Sequence, residues 1–173
     1  ILFVDKYRPE IGFASPVSGT VESVVRGEKR KLLEVRVKAS ETTDYIKFNA
    51  PEPGKATAEE IKKVLLESGL WAAIKQRPYG TVANPADEPR AIFVSAFDSA
   101  PLAPDYNFTM RDEAANLQVA VDVLNKLTKG GVFVGVNGKN ASASVFSKLN
   151  NVKLYGFSGP HPAGNVGVQI NNI

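Results

Sequence analysis

The chain holds one histidine and no cysteine, so thiolate metal sites, disulfides, a cysteine nucleophile and Cys-ligated iron–sulfur clusters are excluded within it. The histidine, His161, stands in FSGPHPAG (Phe157 to Gly164). Pro160 and Pro162 fix φ on either side of the imidazole, and Gly159 and Gly164 let the backbone approach closely. An imidazole can act as acid or base near neutral pH, but no Ser, Cys or carboxylate dyad is visibly paired with it. The segment comes after a predicted strand, where open α/β sheets place their ligand crevice. Structural turn, ligand or partner contact, and chemistry all fit the pattern.

The second candidate is SGLWAAIKQRPYG (Ser68 to Gly80). It comes after a helix signal, the place where an α/β protein that binds a flavin or dinucleotide carries a glycine-rich loop. A phosphate cradle needs inward-pointing amides and glycines where a Cβ would meet the ligand. No glycine lies between Gly69 and Gly80, so neither GxGxxG nor a Walker loop is present. The lone GVNG at Gly135 to Gly138 does not supply one. Lys75 and Arg77 can hold an anion through side chains only. The carboxylates Asp98, Asp105, Asp112 and Glu113 spread over a Pro-rich loop and a helix start, where capping accounts for them.

Another pattern is ASPVSGTV (Ala14 to Val21), which resembles the APxSGxV corner of biotinyl and lipoyl carrier domains. Their modified lysine precedes that proline by about eight residues; here Lys6 lies ten before Pro16. A carrier lysine must sit at a hairpin apex, so the offset favours the barrel as a non-carrying module.

Behind these residues stand two kinds of organisation. Residues 1–50 read as short β structure, an incomplete β-barrel or sandwich module. In it Ile1 to Val4 and Val21 to Val25 are strand-like, and Arg26 to Arg30 form a turn. Lys31 to Lys38 alternate with the period of a half-buried strand. This arm is basic: Arg26, Lys29, Arg30, Lys31, Arg36 and Lys38 outnumber Glu28 and Glu34. It reads as a solvated face, or as a contact for an acidic partner or anionic lipid heads. Residues 51–55, with Pro51, Pro53 and Gly54, form a linker.

Residues 56–173 alternate helices with strands. TAEE (Thr57 to Glu60) is a capping box, Ile61, Val64, Leu65 and Ser68 share a face, and Gly69 suits an αL helix end. Arg90 to Ser95, Val132 to Val136 and Val152 to Tyr155 are short apolar strands. Asp112 to Lys129 is the longest predicted helix, with Ala114, Leu117, Val121, Leu124 and Leu127 on its buried stripe. Ser142 to Leu149 is a short helix. This spacing implies α/β architecture with a parallel, Rossmann-like sheet.

Composition agrees with a globular chain: 43% hydrophobic, 23% charged, net charge +3. That charge, with no RNP-like motif or metal-finger spacing, excludes nucleic acid as the expected partner. No apolar run approaches the ~20 residues of a membrane span, and no signal peptide is visible. Ile1 to Val4 reads as a strand already under way and Val166 to Ile170 as unfinished, so the expectation is a fragment of a longer polypeptide.

Four stretches carry a more specific resemblance: Phe3 to Arg30, ESGLWAAIKQRPYG (Glu67 to Gly80), EPRAIFVSAFDSAPLAPD (Glu88 to Asp105) and FSGPHPAGNVG (Phe157 to Gly167). In this order they resemble the A-subunit family of the bacterial sodium-translocating NADH:quinone reductase, over essentially the whole chain. The resemblance implies a peripheral subunit on the cytoplasmic face of the inner membrane, in a six-subunit complex. That complex passes electrons from NADH through flavins and iron–sulfur centres to ubiquinone or menaquinone, and exports Na⁺. It implies no flavin, cluster or metal bound by this chain, with the membrane subunits as partners.

The family is also similar, more distantly, to the flavin-binding subunit of complex I. There the helix end runs into GxGGAGFPT around FMN. Here Trp71 to Arg77 occupy that place, and Val94 to Pro101 occupy the place of NGAECEP without its Cys or Glu. The FMN function is therefore not carried over. The reading is a non-flavin subunit in which Trp71, Arg77, Phe157 and His161 are the candidate contacts for a quinone or partner, with no catalytic residue. An apolar or aromatic wall with a few donors suits a ring carrying carbonyls. A purely structural docking role and a flavin-binding oxidoreductase domain are the alternatives.

Overall fold

The computed structural model describes all residues, 1–173. Two antiparallel pairs open the chain: β1 (Phe3–Val4) with β2 (Gly12–Phe13), and β3 (Gly19–Arg26) with β4 (Leu32–Ala39). The expected first strand shrinks to its last two residues. The β3–β4 hairpin forms where alternation predicts it, with Val35 and Val37 half-buried and Leu33 left exposed. The two pairs are separate sheets, and the hairpin packs chiefly on itself. Residues 41–50 form no helix or strand and are exposed, tied back where Ser18 Oγ donates to the Asp44 carbonyl at 2.8 Å.

The capping box holds. Helix α1 (Ala58–Glu67) starts with the Thr57 hydroxyl accepting from the Glu60 amide at 3.3 Å, while Glu60 Oε2 accepts from the Thr57 amide at 2.8 Å. The Thr57 amide, then the Thr57 hydroxyl, hold the Glu60 carboxyl below the ordinary carboxylate range; burial works against them and Lys126 adds to them. A depressed folded pKa gives stability that is present above the unfolded value, about 4.3, and lost as pH falls through the lowered one. Thr57→Ala is expected to raise the Glu60 midpoint towards that of a free glutamate, read by NMR titration of its side chain. Loss of the cap itself should cost about 1 kcal/mol of helix stability.

Gly69 ends α1 at φ 77°, the left-handed conformation expected of it. The chain then enters a 3-10 helix, Leu70–Ala73, and a small antiparallel pair, β5 (Lys75–Gln76) and β6 (Thr81–Val82). Ile11, fully buried, belongs to the segment that brings β2 against this 3-10 helix.

The α/β part is built on three parallel strands, β7 (Ile92–Ser95), β8 (Val132–Asn137) and β9 (Val152–Phe157), in the order β7-β8-β9. Helix α2 (Tyr106–Thr109) and α3 (Ala114–Asn125) connect β7 to β8. The helix predicted from Asp112 to Lys129 is thus shorter at both ends, and Ala114 is exposed where the stripe places it inside. Between β8 and β9 lie two 3-10 helices, Gly138–Ala143 and Val145–Lys148, in place of the single helix expected over 142–149.

Side chains alternate across the strands. One face, with Val132, Val134 and Val136 all about 1% exposed, packs on Leu117 and Leu124 of α3 and on Val145 and Phe146. The other carries Phe93 stacked on Phe133, and Phe133 on Tyr155. At its carboxyl end this face is covered by α4 (Val166–Asn171), whose buried Gln169 lies beside Gly135.

Candidate functional site at the carboxyl edge of the sheet

β7 delivers Ser95 to the carboxyl edge and passes into the Phe97–Ser99 loop. The Asp98 carboxylate accepts from the Ala100 amide at 2.8 Å and holds that loop in a turn. After β9 the FSGPHPAG segment folds back over it, stitched by Ala163 N–H to the Pro160 carbonyl (2.9 Å) and Asn165 N–H to the Pro162 carbonyl (2.8 Å). The two loops meet at Gly164. Its amide donates to Ser99 Oγ at 2.8 Å, and its carbonyl faces Ser95 Oγ (3.4 Å) and Gln169 Nε2 (3.3 Å). A Cβ on Gly164 would run into the backbone of Asp98 and Ser99, so only glycine lets the loops approach this closely.

His161 hangs from the same junction, its Nδ1 3.2 Å from Ser99 Oγ, with the ring exposed. Ser99 Oγ thus accepts from the Gly164 amide and meets the His161 Nδ1, which ties the imidazole to the loop junction.

Beside the junction opens a cleft of about 480 Å³ bounded by Arg77, Ser95, Asp98, Tyr106, Val166 and Val168. Arg77 has no ion-pair or hydrogen-bond partner, and its guanidinium lies near Gly167. The edge therefore joins one unpaired cation, the Asp98 carboxylate, a hydroxyl, a phenol and two valines. Such a mixture can hold a ring through its apolar wall and a carbonyl through Arg77.

Of the four residues named from sequence, Arg77 lines this cleft and His161 adjoins it through Ser99. Trp71 is 5% exposed and donates its indole N–H to the Ala83 carbonyl at 2.8 Å. It packs where β2, α1 and β6 converge on the 3-10 helix. Phe157 is half-buried with its ring against Gly135. Both have packed surroundings away from the cleft lining. The carboxylates do not converge: Asp105 caps α2, Asp112 pairs with Arg111 at 3.2 Å, and Glu113 accepts from Asn116 at 2.6 Å. Lys6 lies on the flank of the β1–β2 connection, whose tight turn is closed by Ile11 N–H to the Arg8 carbonyl at 2.9 Å.

Sequence reasoning missed Ser95, Ser99, Tyr106 and the α4 start. Ser95 and Ser99 flank a predicted strand end, and that position was the signal available for them.

Residues 56–173 match the family described as the NqrA second alpha/beta domain, and residues 1–40 the NqrA N-terminal barrel-sandwich hybrid domain. The chain belongs to the NqrA family. Among its relatives, the Na(+)-translocating NADH-quinone reductase A subunits of Neisseria gonorrhoeae (strain NCCP11945) and Neisseria meningitidis serogroup A are 38% and 40% identical over 177 residues. Each of these alignments takes in all of this chain and 39% of the relative. The Vibrio vulnificus (strain YJ016) protein of the same name is 39% identical over 98% of this chain and 38% of its own length. The chain thus spans about two fifths of the curated relatives it matches. The NqrA match agrees with the resemblance seen in the sequence, and the barrel-sandwich and α/β descriptions agree with the fold class.

Proposed function

We propose that this NqrA-family chain serves as a non-flavin, peripheral subunit on the cytoplasmic side of a Na⁺-translocating NADH:quinone reductase. There it docks on the membrane subunits, and its carboxyl-edge cleft contacts the quinone. The observation that carries the quinone contact is the unpaired Arg77 guanidinium at a cleft walled by Tyr106, Val166 and Val168. A guanidinium donating to a quinone carbonyl makes a charge-assisted bond, and the exposed imidazole of His161 offers a second polar contact at the rim. The non-flavin part is supported by the segment after Gly69: a 3-10 helix with a buried tryptophan stands where a cradle would need open amides. NADH, flavins and iron–sulfur centres then belong to other subunits, and electrons pass to ubiquinone or menaquinone without a carrier on this chain.

The test is equilibrium binding of a soluble quinone to the full-length subunit. Arg77→Ala is expected to weaken binding about 10-fold or more, the size of a lost hydrogen bond to a charged group, and His161→Ala by less. Unchanged affinity in both variants would remove the quinone contact. A docking-only role is favoured by one observation, the Ser99–Gly164 junction that already engages His161 Nδ1 in a hydrogen bond between the two loops. It predicts normal co-purification with the membrane subunits and no quinone affinity. A yellow preparation, or one that FMN titrates, would overturn the non-flavin reading.

A further inference from the structure

We propose that the β3–β4 hairpin is a docking element for a bilayer surface rich in anionic lipid, engaged through its tip, Arg26 to Lys31, and the adjoining Leu32 and Leu33. Across 19–39 six Lys and Arg face Glu22, Glu28 and Glu34. That surplus of three equals the net charge of the whole chain, +3, so the remainder is electrically balanced and the excess sits on one projecting element. The tip is denser still, four cations against Glu28 alone.

The tip is a built turn. Gly27 N–H donates to the Lys31 carbonyl (2.9 Å), Arg30 N–H to the Gly27 carbonyl (3.2 Å) and Lys31 N–H to the Glu28 carbonyl (3.1 Å). Arg26 reaches over to the Arg30 carbonyl at 3.2 Å. Lys29 and Arg30 take left-handed φ of 53° and 61°, which turns consecutive side chains outward. The hairpin's one ion pair, Arg36 with Glu34 at 2.9 Å, lies away from the tip, so Lys29, Arg30 and Lys31 are unpaired.

Beside these cations Leu32 is 37% and Leu33 56% exposed. Cations next to exposed leucines select the occupant. At a bilayer the ammonium and guanidinium groups meet lipid phosphates while the leucines enter the acyl boundary. An acidic protein surface would satisfy the cations and leave both leucines against carboxylates. The charge complementarity and the apolar residues together therefore favour the lipid surface. Neither the cleft nor the quinone enters into this docking.

The experiment is sedimentation of the full-length subunit with vesicles of phosphatidylglycerol mixed into phosphatidylcholine, and with vesicles of phosphatidylcholine alone. Binding is expected only to the first, weakening as salt rises. Lys29→Gln with Lys31→Gln should lower the partition coefficient on the order of 25-fold, from about 1 kcal/mol for each cation near the surface. The charge-matched control Lys139→Gln with Lys148→Gln should leave it unchanged. Circular dichroism identical to the parent shows that the tip variant is folded; if it is not, Lys29→Gln alone, expected to lose about 5-fold, carries the same decision. Binding that is absent, equal on both vesicles, or equally reduced by the control pair overturns the proposal. So does tip-dependent capture by an acidic reductase subunit without any vesicle binding.

Discussion

Trp71→Ala is expected to lower the stability of the protein by about 3–5 kcal/mol, the range for truncating a buried aromatic. The indole is 5% exposed and sits where β2, α1 and β6 converge. Removing it opens a cavity that three elements line and that none can fill alone without moving the other two. The lost bond from the indole N–H to the Ala83 carbonyl (2.8 Å) adds to the cost, because that carbonyl is left short of a donor. Trp71→Phe separates the two contributions: it keeps most of the ring and removes the bond, and should cost about 1–2 kcal/mol. Urea denaturation followed by circular dichroism reads both, since this is the chain's one tryptophan and its fluorescence disappears with it. A loss under about 1 kcal/mol for Trp71→Ala would show that the ring is not a keystone. Because the variant perturbs the fold, it is a poor probe of quinone contact, and Arg77→Ala is the better one.

Gly164→Ala is the second large effect. The added Cβ meets the Ser99 amide nitrogen and the Asp98 backbone. Those are main-chain atoms that cannot swing aside, so one of the two loops must shift. Overpacking of this kind costs about 1–3 kcal/mol, occasionally more. The shift also breaks the Gly164 amide bond to Ser99 and displaces Ser99 from His161. Whatever the rim binds should therefore weaken together with stability. Gly54→Ala is the matched control: nothing lies within 4 Å of its added Cβ, and its effect should stay within about 0.5 kcal/mol. Equal stability of the two variants in thermal denaturation would mean that the two loops are not in tight contact.

The two variants also show how much of this protein is legible in the chain. The sequence marks Gly164 for close backbone approach, and it has that role; the residues it approaches, Asp98 and Ser99, stand some 65 residues away, and nothing in the sequence pairs them with it. By its position in the chain Trp71 fills a flavin's place, with a face towards a ligand. Its burial depends on β2 and on Ala83, twelve residues further on, both brought in by tertiary packing.

What the sequence determined by itself was local or periodic. It marked the capping box at Thr57 and Glu60, the left-handed stop at Gly69, the three apolar strands and the β3–β4 hairpin. These depend on hydrogen bonds within one turn or on the two-residue pleat, which neighbouring residues specify without outside help. The NqrA membership was legible too, in motifs that survive as strings. Only the tertiary structure decided the rest. VGVQIN, rich in β-branched residues and glycine, becomes helix α4 with Gln169 Nε2 tied to the Gly164 carbonyl at 3.3 Å and the helix packed over β7 and β8. Val145 and Phe146 are buried in the sheet's core by 3-10 turns where an α-helix was expected. Arg77, Ser95 at the end of β7 and Gly164 of the His161 loop line one cleft, and contacts made across such distances in the chain are set by packing.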